Sequence, residues 1–119
     1  MSGQQEIPER DAALLIDMLL AARDAAGFVT DLDETRFSES RLHQNAVIRS
    51  LEVIGEAAGK VSAATKAAHP EIPWRTMTAM RHRLVHGYAD VRIDLVWAVT
   101  QQHLGPLIAA LAPLLPDQT

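Results

Sequence analysis

The sequence predicts an all-α fold, an up-and-down bundle of four to five helices, and three observations carry that reading. The chain is rich in Ala and Leu, with 48% apolar but only 4% aromatic residues. No stretch alternates apolar and polar residues between hairpin signals, as a half-buried strand does. Val47, Leu51, Ile54, Ala58 and Val61 step by four and three residues in turn, the spacing of a seam running down one side of a long bundle helix. At 119 residues the chain has room for one domain over 1–119, with 1–6 and 116–119 expected as flexible tails.

Each element has its own local signal. Pro8 suits the start of a first helix, and Glu9 and Asp11 complement its positive end. Leu14, Leu15, Met18, Leu19 and Ala22 then form one apolar face, and Gly27 is the expected stop. The segment Thr30–Phe37 is acidic and lacks periodicity, which predicts a loop with Phe37 tucked onto the core. Ser38 or Ser40 is the candidate cap of the seam-bearing helix.

Beyond Lys60–Ala68, the run His69-Pro70-Glu71-Ile72-Pro73 interrupts the chain, since two prolines so close cannot sit inside a helix. Pro73 begins a third helix, with Trp74 as its anchor, Met77, Met80 and Leu84 as its apolar line and Gly87 as its stop. Asp90 is the expected cap of a fourth helix that turns Val91, Leu95, Val96, Val99, Leu104, Leu107, Ile108 and Leu111 inward. Pro106 falls within that run and is expected to kink the helix or restart it.

Charge and composition narrow the partners. A net charge of −4 argues against indiscriminate polyanion binding, and no DNA partner is expected. The charge is unevenly spread, however. Arg75, Arg81, Arg83 and Arg92 face only Asp90, a local balance of +3, whereas Asp31–Glu39 sums to −3. The absence of cysteine excludes disulfides and thiolate metal sites. That fits a reducing compartment, and with no signal pattern and no apolar run near the roughly 20 residues that span a bilayer, the expected location is the cytoplasm, without a membrane partner.

One stretch concentrates reactive side chains: Met80-Arg81-His82-Arg83-Leu84-Val85-His86-Gly87-Tyr88. Arg81 cannot lose its proton, and His86 titrates near neutrality, so the two suit metal-free phosphoryl transfer. The arginine would hold a phosphate and stabilise developing charge while the histidine moves a proton. On a continuous helix the two lie about 140° apart, so the expectation is that the helix ends near Val85 and a turn brings His86 round. One such pair is a sparse site, which favours a homodimer that joins two of them across a two-fold axis. As a bare pattern, an Arg and a His near a helix end are more often a capping arrangement.

Other groups read more plainly. His82 and His86 have the i, i+4 spacing that can chelate zinc, but no acidic or third histidine ligand stands nearby in the motif. Neither a metal nor another cofactor is expected. Asn45, Arg49, Glu52 and Glu56 form a polar stripe beside the seam, which taken alone is a solvated face. His43, His69 and His103 read as surface or boundary residues, and Trp74 and Trp97 as core anchors rather than base-stacking platforms.

The run from Arg81 to Tyr88 resembles the R-x-x-x-x-H-x-Y motif of HepT-like proteins, a branch of the HEPN families. The likeness continues through Ala46–Ala58, Pro70–Trp74 and Asp94–Trp97. It implies a HEPN-like helical homodimer with both motifs at an interface cleft. It further implies the toxin of a type VII-like toxin–antitoxin pair, a metal-independent endoribonuclease acting on RNA, with tRNA among the substrates of the family.

By the same resemblance, Arg81 and His86 are the catalytic candidates. Tyr88 is the residue that a partner antitoxin, a minimal nucleotidyltransferase, would silence by adenylylation. His82, Arg83, Arg49 and Glu52 are supporting candidates. His82 departs from the family pattern, which commonly has a small polar residue there. That departure and the acidic net charge keep open an alternative, a noncatalytic helical dimer that serves as partner or substrate of the nucleotidyltransferase.

Overall fold

The computed structural model describes residues 6–86 and 91–116, with Val85 and His86 as backbone. Among these residues every regular element is helical: α1 (Glu9–Phe28), α2 (Glu34–Ser38), α3 (Arg41–Lys60), α4 (Ala63–Ala68), α5 (Trp74–His86), α6 (Ile93–Gln102) and α7 (Leu104–Leu111), closed by a 3-10 turn over Ala112–Leu114. The described body measures 54 × 30 × 19 Å, about two helix diameters thick. None of its helices is long and apolar enough to cross a membrane.

The long helix α3 is the centre, with α1 and α5 packed against it and α7 lying on α1. All five seam residues of the α3 region are buried, and Leu15, Met18, Leu19 and Ala22 of α1 meet them in the core. Burial of each such aliphatic side chain stabilises the fold by roughly 1.5–3 kcal/mol. Val96, Leu104, Leu107 and Leu111 complete the core as expected, but Leu95 is 42% exposed.

Several local expectations are corrected. The segment Thr30–Phe37 is not all loop, because Asp33 accepts a hydrogen bond from the Arg36 backbone N–H at 2.8 Å and caps the short helix α2. Gln44 Nε2 donates to the carbonyls of Phe37 (2.8 Å) and Ser38 (3.0 Å), which satisfies the other end. Phe37 is fully buried, with its ring 5.4 Å from that of Trp97. Of the two candidate caps for α3 the structure uses Ser40, whose hydroxyl accepts from the His43 backbone N–H at 3.3 Å. His43 is drawn into this cap, its Nδ1 lying 2.6 Å from the same hydroxyl.

The stretch after Lys60 splits into an extended Val61 and a separate helix α4 capped by Ser62. Pro73 immediately precedes α5, and its carbonyl accepts from Met77 N–H at 3.0 Å. Trp74 anchors the start as expected, its indole N–H donating to the His69 carbonyl at 3.0 Å. Gly87, the expected stop, and Asp90, the expected cap, lie outside the described residues. Helix α6 starts at Ile93, with Arg92 in the cap position and paired to Asp94 at 2.7 Å. Pro106 is the third residue of the restarted helix α7, in a first turn where a missing N–H removes no helical bond.

Asp11 does more than complement a helix dipole. It is 2% exposed and accepts from the Ser62 hydroxyl (2.5 Å), the Ser62 backbone N–H (3.1 Å) and the Thr65 hydroxyl (2.5 Å). These bonds tie the start of α1 to the junction of α3 and α4. They hold the carboxyl below its usual range, the Ser62 hydroxyl contributing most and Thr65 next, against the opposing effect of burial.

Candidate active site on α5

Helix α5 presents the motif on two sides. Met77, Arg81 and Leu84 recur at i, i+4 and i+7, and Met77 and Leu84 are buried on the side that meets α3. The facing residue on α3 is Gly55. A Cβ there would lie 2.7 Å from the Met77 carbonyl oxygen and would run into the Cβ of Arg81. Only a residue without a side chain lets the two backbones approach this closely, so the stem of Arg81 lies across α3 rather than out in solvent.

Arg81 is half-buried, and its Nε is buried with no hydrogen-bond acceptor among the described residues. The acidic group in its field is Glu56, the residue next to Gly55. Lys60 Nζ, 3.2 Å away, hydrogen-bonds the Glu56 carboxylate and lowers its pKa most, and the charges of Arg81 and Arg49 lower it further. Arg49, Glu56 and Arg81 thus share one electrostatic neighbourhood. Arg49 and Glu56 are exposed and Glu52 is half-buried, so the stripe beside the seam borders the motif.

Gly55 is the site component that sequence alone does not single out, and Glu56 is one that it places only in the polar stripe. Glu56 stood in the stripe but not among the supporting candidates. Gly55 lay inside the family-like segment with no role. Spacing offers one signal for it: a glycine at the middle of an otherwise strong helix costs about 1 kcal/mol against Ala, and such a cost in a seam-bearing helix marks a close approach.

The helical backbone of α5 is described as far as His86, one residue past the expected ending near Val85. Arg81 and His86 therefore stay about 140° apart around one axis, and a turn at Val85 does not bring them together. Tyr88 lies outside the described residues. His82 and Arg83 are exposed and line, not the Arg81 side, but a groove between α5 and α6. Among the described residues no three His, Cys, Asp or Glu side chains gather as metal ligands.

Comparison with known proteins places this arrangement. The family model described as Ribonuclease HepT-like matches residues 18–114, a span that contains α3, α5 and the whole motif. The Putative RNases MJ1380 and MJ0125 of Methanocaldococcus jannaschii are similar to this chain, at 33% identity over 76% of it and 83% of the relative, and 32% over 93% and 97%. The Probable ribonuclease HepT of Thermococcus cleftensis is 44% identical over 54% of this chain and 58% of its own. No solved structure matches with significance. An all-helical body centred on α3, an arginine seated against it and a family match over both lead to one conclusion: the chain belongs to the HepT-like ribonuclease family of the HEPN superfamily.

Proposed function

We propose that the protein is a metal-independent endoribonuclease toxin that acts on RNA, with tRNA as its substrate class, and that works as a homodimer. The observation that carries this reading is the HepT-like ribonuclease match across residues 18–114, which takes in both Arg81 and His86. Arg81 binds the scissile phosphate and offsets the charge that builds on it, and His86 moves a proton to or from the 2′-hydroxyl or the leaving 5′-oxygen. One Arg81–His86 pair is a sparse site, and a second copy that brings its own Arg81 and His86 across a two-fold axis supplies acid and base together. Arg49, Glu52 and Glu56 border the motif and orient the arginine.

Control acts on the same helix end. A nucleotidyltransferase antitoxin transfers AMP to Tyr88, which adds negative charge and bulk where the RNA phosphate would bind. The test compares wild type with His86→Ala on tRNA in the presence of a chelator. Cleavage by wild type alone, leaving 2′,3′-cyclic phosphate or 2′- or 3′-phosphate ends, is the expected result, and equally intact tRNA with both proteins sinks the nuclease reading. His82, in place of the small polar residue common in the family, favours one second reading, a noncatalytic partner of the nucleotidyltransferase. The same comparison separates the two.

A further inference from the structure

The groove between α5 and α6 has a volume of about 700 Å³ and is not used by the proposed chemistry. Its floor is aliphatic, built from Leu51, Leu84 and Val96, and its wall includes the half-buried Met80 and the exposed Leu95. The polar side chains at its rim include His82, Arg83, Arg92 and His103, and no carboxylate among the described residues lines it in a chain whose net charge is −4. Arg92 is answered by Asp94 at 2.7 Å, whereas Arg83 is exposed and makes no ion pair among the described residues. The space is therefore apolar at the bottom, cationic at the edge and of the size that accepts a small ligand.

We propose that this groove seats one unpaired nucleotide of the RNA, with its base against the Leu95–Met80 wall and its phosphate on Arg83. The proposal rests on the ribonuclease reading and narrows its substrate to a single-stranded segment. Charge complementarity selects a phosphate: Asp94 already answers Arg92, and the exposed Arg83, which makes no ion pair among the described residues, is left to meet an anion even on an acidic protein. The aliphatic floor selects a splayed base over a duplex, whose bases are stacked and whose accessible groove offers hydroxyls and phosphates.

Continuity with Arg81 selects the position. Arg81 and Arg83 are two residues apart on α5, about 200° around its axis, so a strand held at both crosses the helix. The base in the groove then lies across the helix from the scissile phosphate, more than one nucleotide along the strand, and abasic substitution at each flanking position locates it.

The test uses the full-length protein, a single-stranded RNA oligonucleotide that contains the cut site, and abasic versions of it at each flanking position. Leu95 is already 42% exposed, so Leu95→Asp leaves the core intact. The expected result is a KM raised about tenfold with little change in kcat, the size of one lost aliphatic contact, and a smaller rise for Arg83→Ala. One abasic position should raise KM equally in wild type and add nothing in Leu95→Asp. An unchanged KM in Leu95→Asp with no sensitive abasic position overturns the proposal.

Loss of a dimer in light scattering of Leu95→Asp would assign the groove to a second copy and overturn it. Loss of a protein partner's binding at unchanged KM would do the same. If wild type cuts no RNA, the nuclease reading fails by itself. Fluorescence anisotropy with the same oligonucleotide then decides the groove: binding weakened in Leu95→Asp keeps it, and equal or absent binding overturns it.

Discussion

Gly55 on α3 and Arg81 on α5 occupy space that no pair of ordinary side chains could share: a Cβ on the glycine would collide with the stem of the arginine and stand 2.7 Å from the Met77 carbonyl oxygen. The missing side chain therefore sets how closely α3 and α5 pack where the motif begins. That separation decides where the Arg81 guanidinium, proposed above to bind the scissile phosphate, sits.

Gly55→Ala should lower both stability and activity. Helix propensity would reward the change by about 1 kcal/mol, but the obstacle is a backbone carbonyl that cannot swing aside, and overpacking costs typically 1–3 kcal/mol. The clash should win, with a net loss of up to about 2 kcal/mol in urea titration. RNA cleavage should fall further than that loss explains.

Gly59→Ala is the contrasting case one turn later. Its added Cβ would lie 3.5 Å from Thr78 Cγ2, an ordinary contact, and the residue is exposed. With no clash to oppose it, propensity should raise stability by about 0.5–1 kcal/mol, read as a higher Tm at unchanged activity. A destabilised variant would mean that α3 and α5 pack more tightly at Gly59 than the geometry indicates.

Arg81→Lys and His86→Ala should each reduce kcat/KM for RNA by about 10²- to 10⁴-fold, the usual worth of a placed proton carrier or charge donor. Lysine keeps the charge but loses the planar fork that meets two phosphate oxygens. Mixing the two inactive variants provides a sharper measurement. If the site is completed by a second copy, partial activity should return in the heterodimer, and its absence would place both residues in one chain's site.

Asp11→Asn should remove an acid-sensitive part of the stability. The folded carboxyl titrates below its usual range because Ser62 and Thr65 hydrogen-bond the charged form. Its contribution is therefore complete above the unfolded value of about 4 and disappears as pH falls through the lower, folded value. Wild type should lose more stability than Asp11→Asn below about pH 4. Near neutrality the variant should be less stable by about 1.5–3 kcal/mol, the range for a hydrogen bond to a charged group that is lost.

What was legible in the sequence follows the range of the forces involved. Periodicity reports burial, so the seam from Val47 to Val61 and the apolar face of α1 were readable, as were Pro73 before α5 and the restart near Pro106. Contacts between distant segments were not readable. Asp11 looked like a local answer to a helix dipole because nothing in its neighbourhood names Ser62, fifty-one residues on. Gly55 meets a partner twenty-six residues later in the chain, and Leu95 fits the apolar register of α6 yet faces a groove, since period alone cannot tell a core from a cleft. Within the site, Arg81 was identifiable from type and spacing, whereas Glu56 was distinguishable from Glu52 only after α3 and α5 were placed side by side.

The Asp11 contacts also govern how the molecule comes apart. Amides in the first turn of α1 and in the Ser62–Thr65 turn belong to segments far apart in sequence, yet one carboxylate fastens both. The hydrogen-bonded amides there, Ala12, Ser62 and Thr65, should exchange with solvent deuterium as one cooperative unit, at a common opening free energy. In Asp11→Asn the two segments should exchange independently, each fraying at its own rate while α3 and α5 keep their protection.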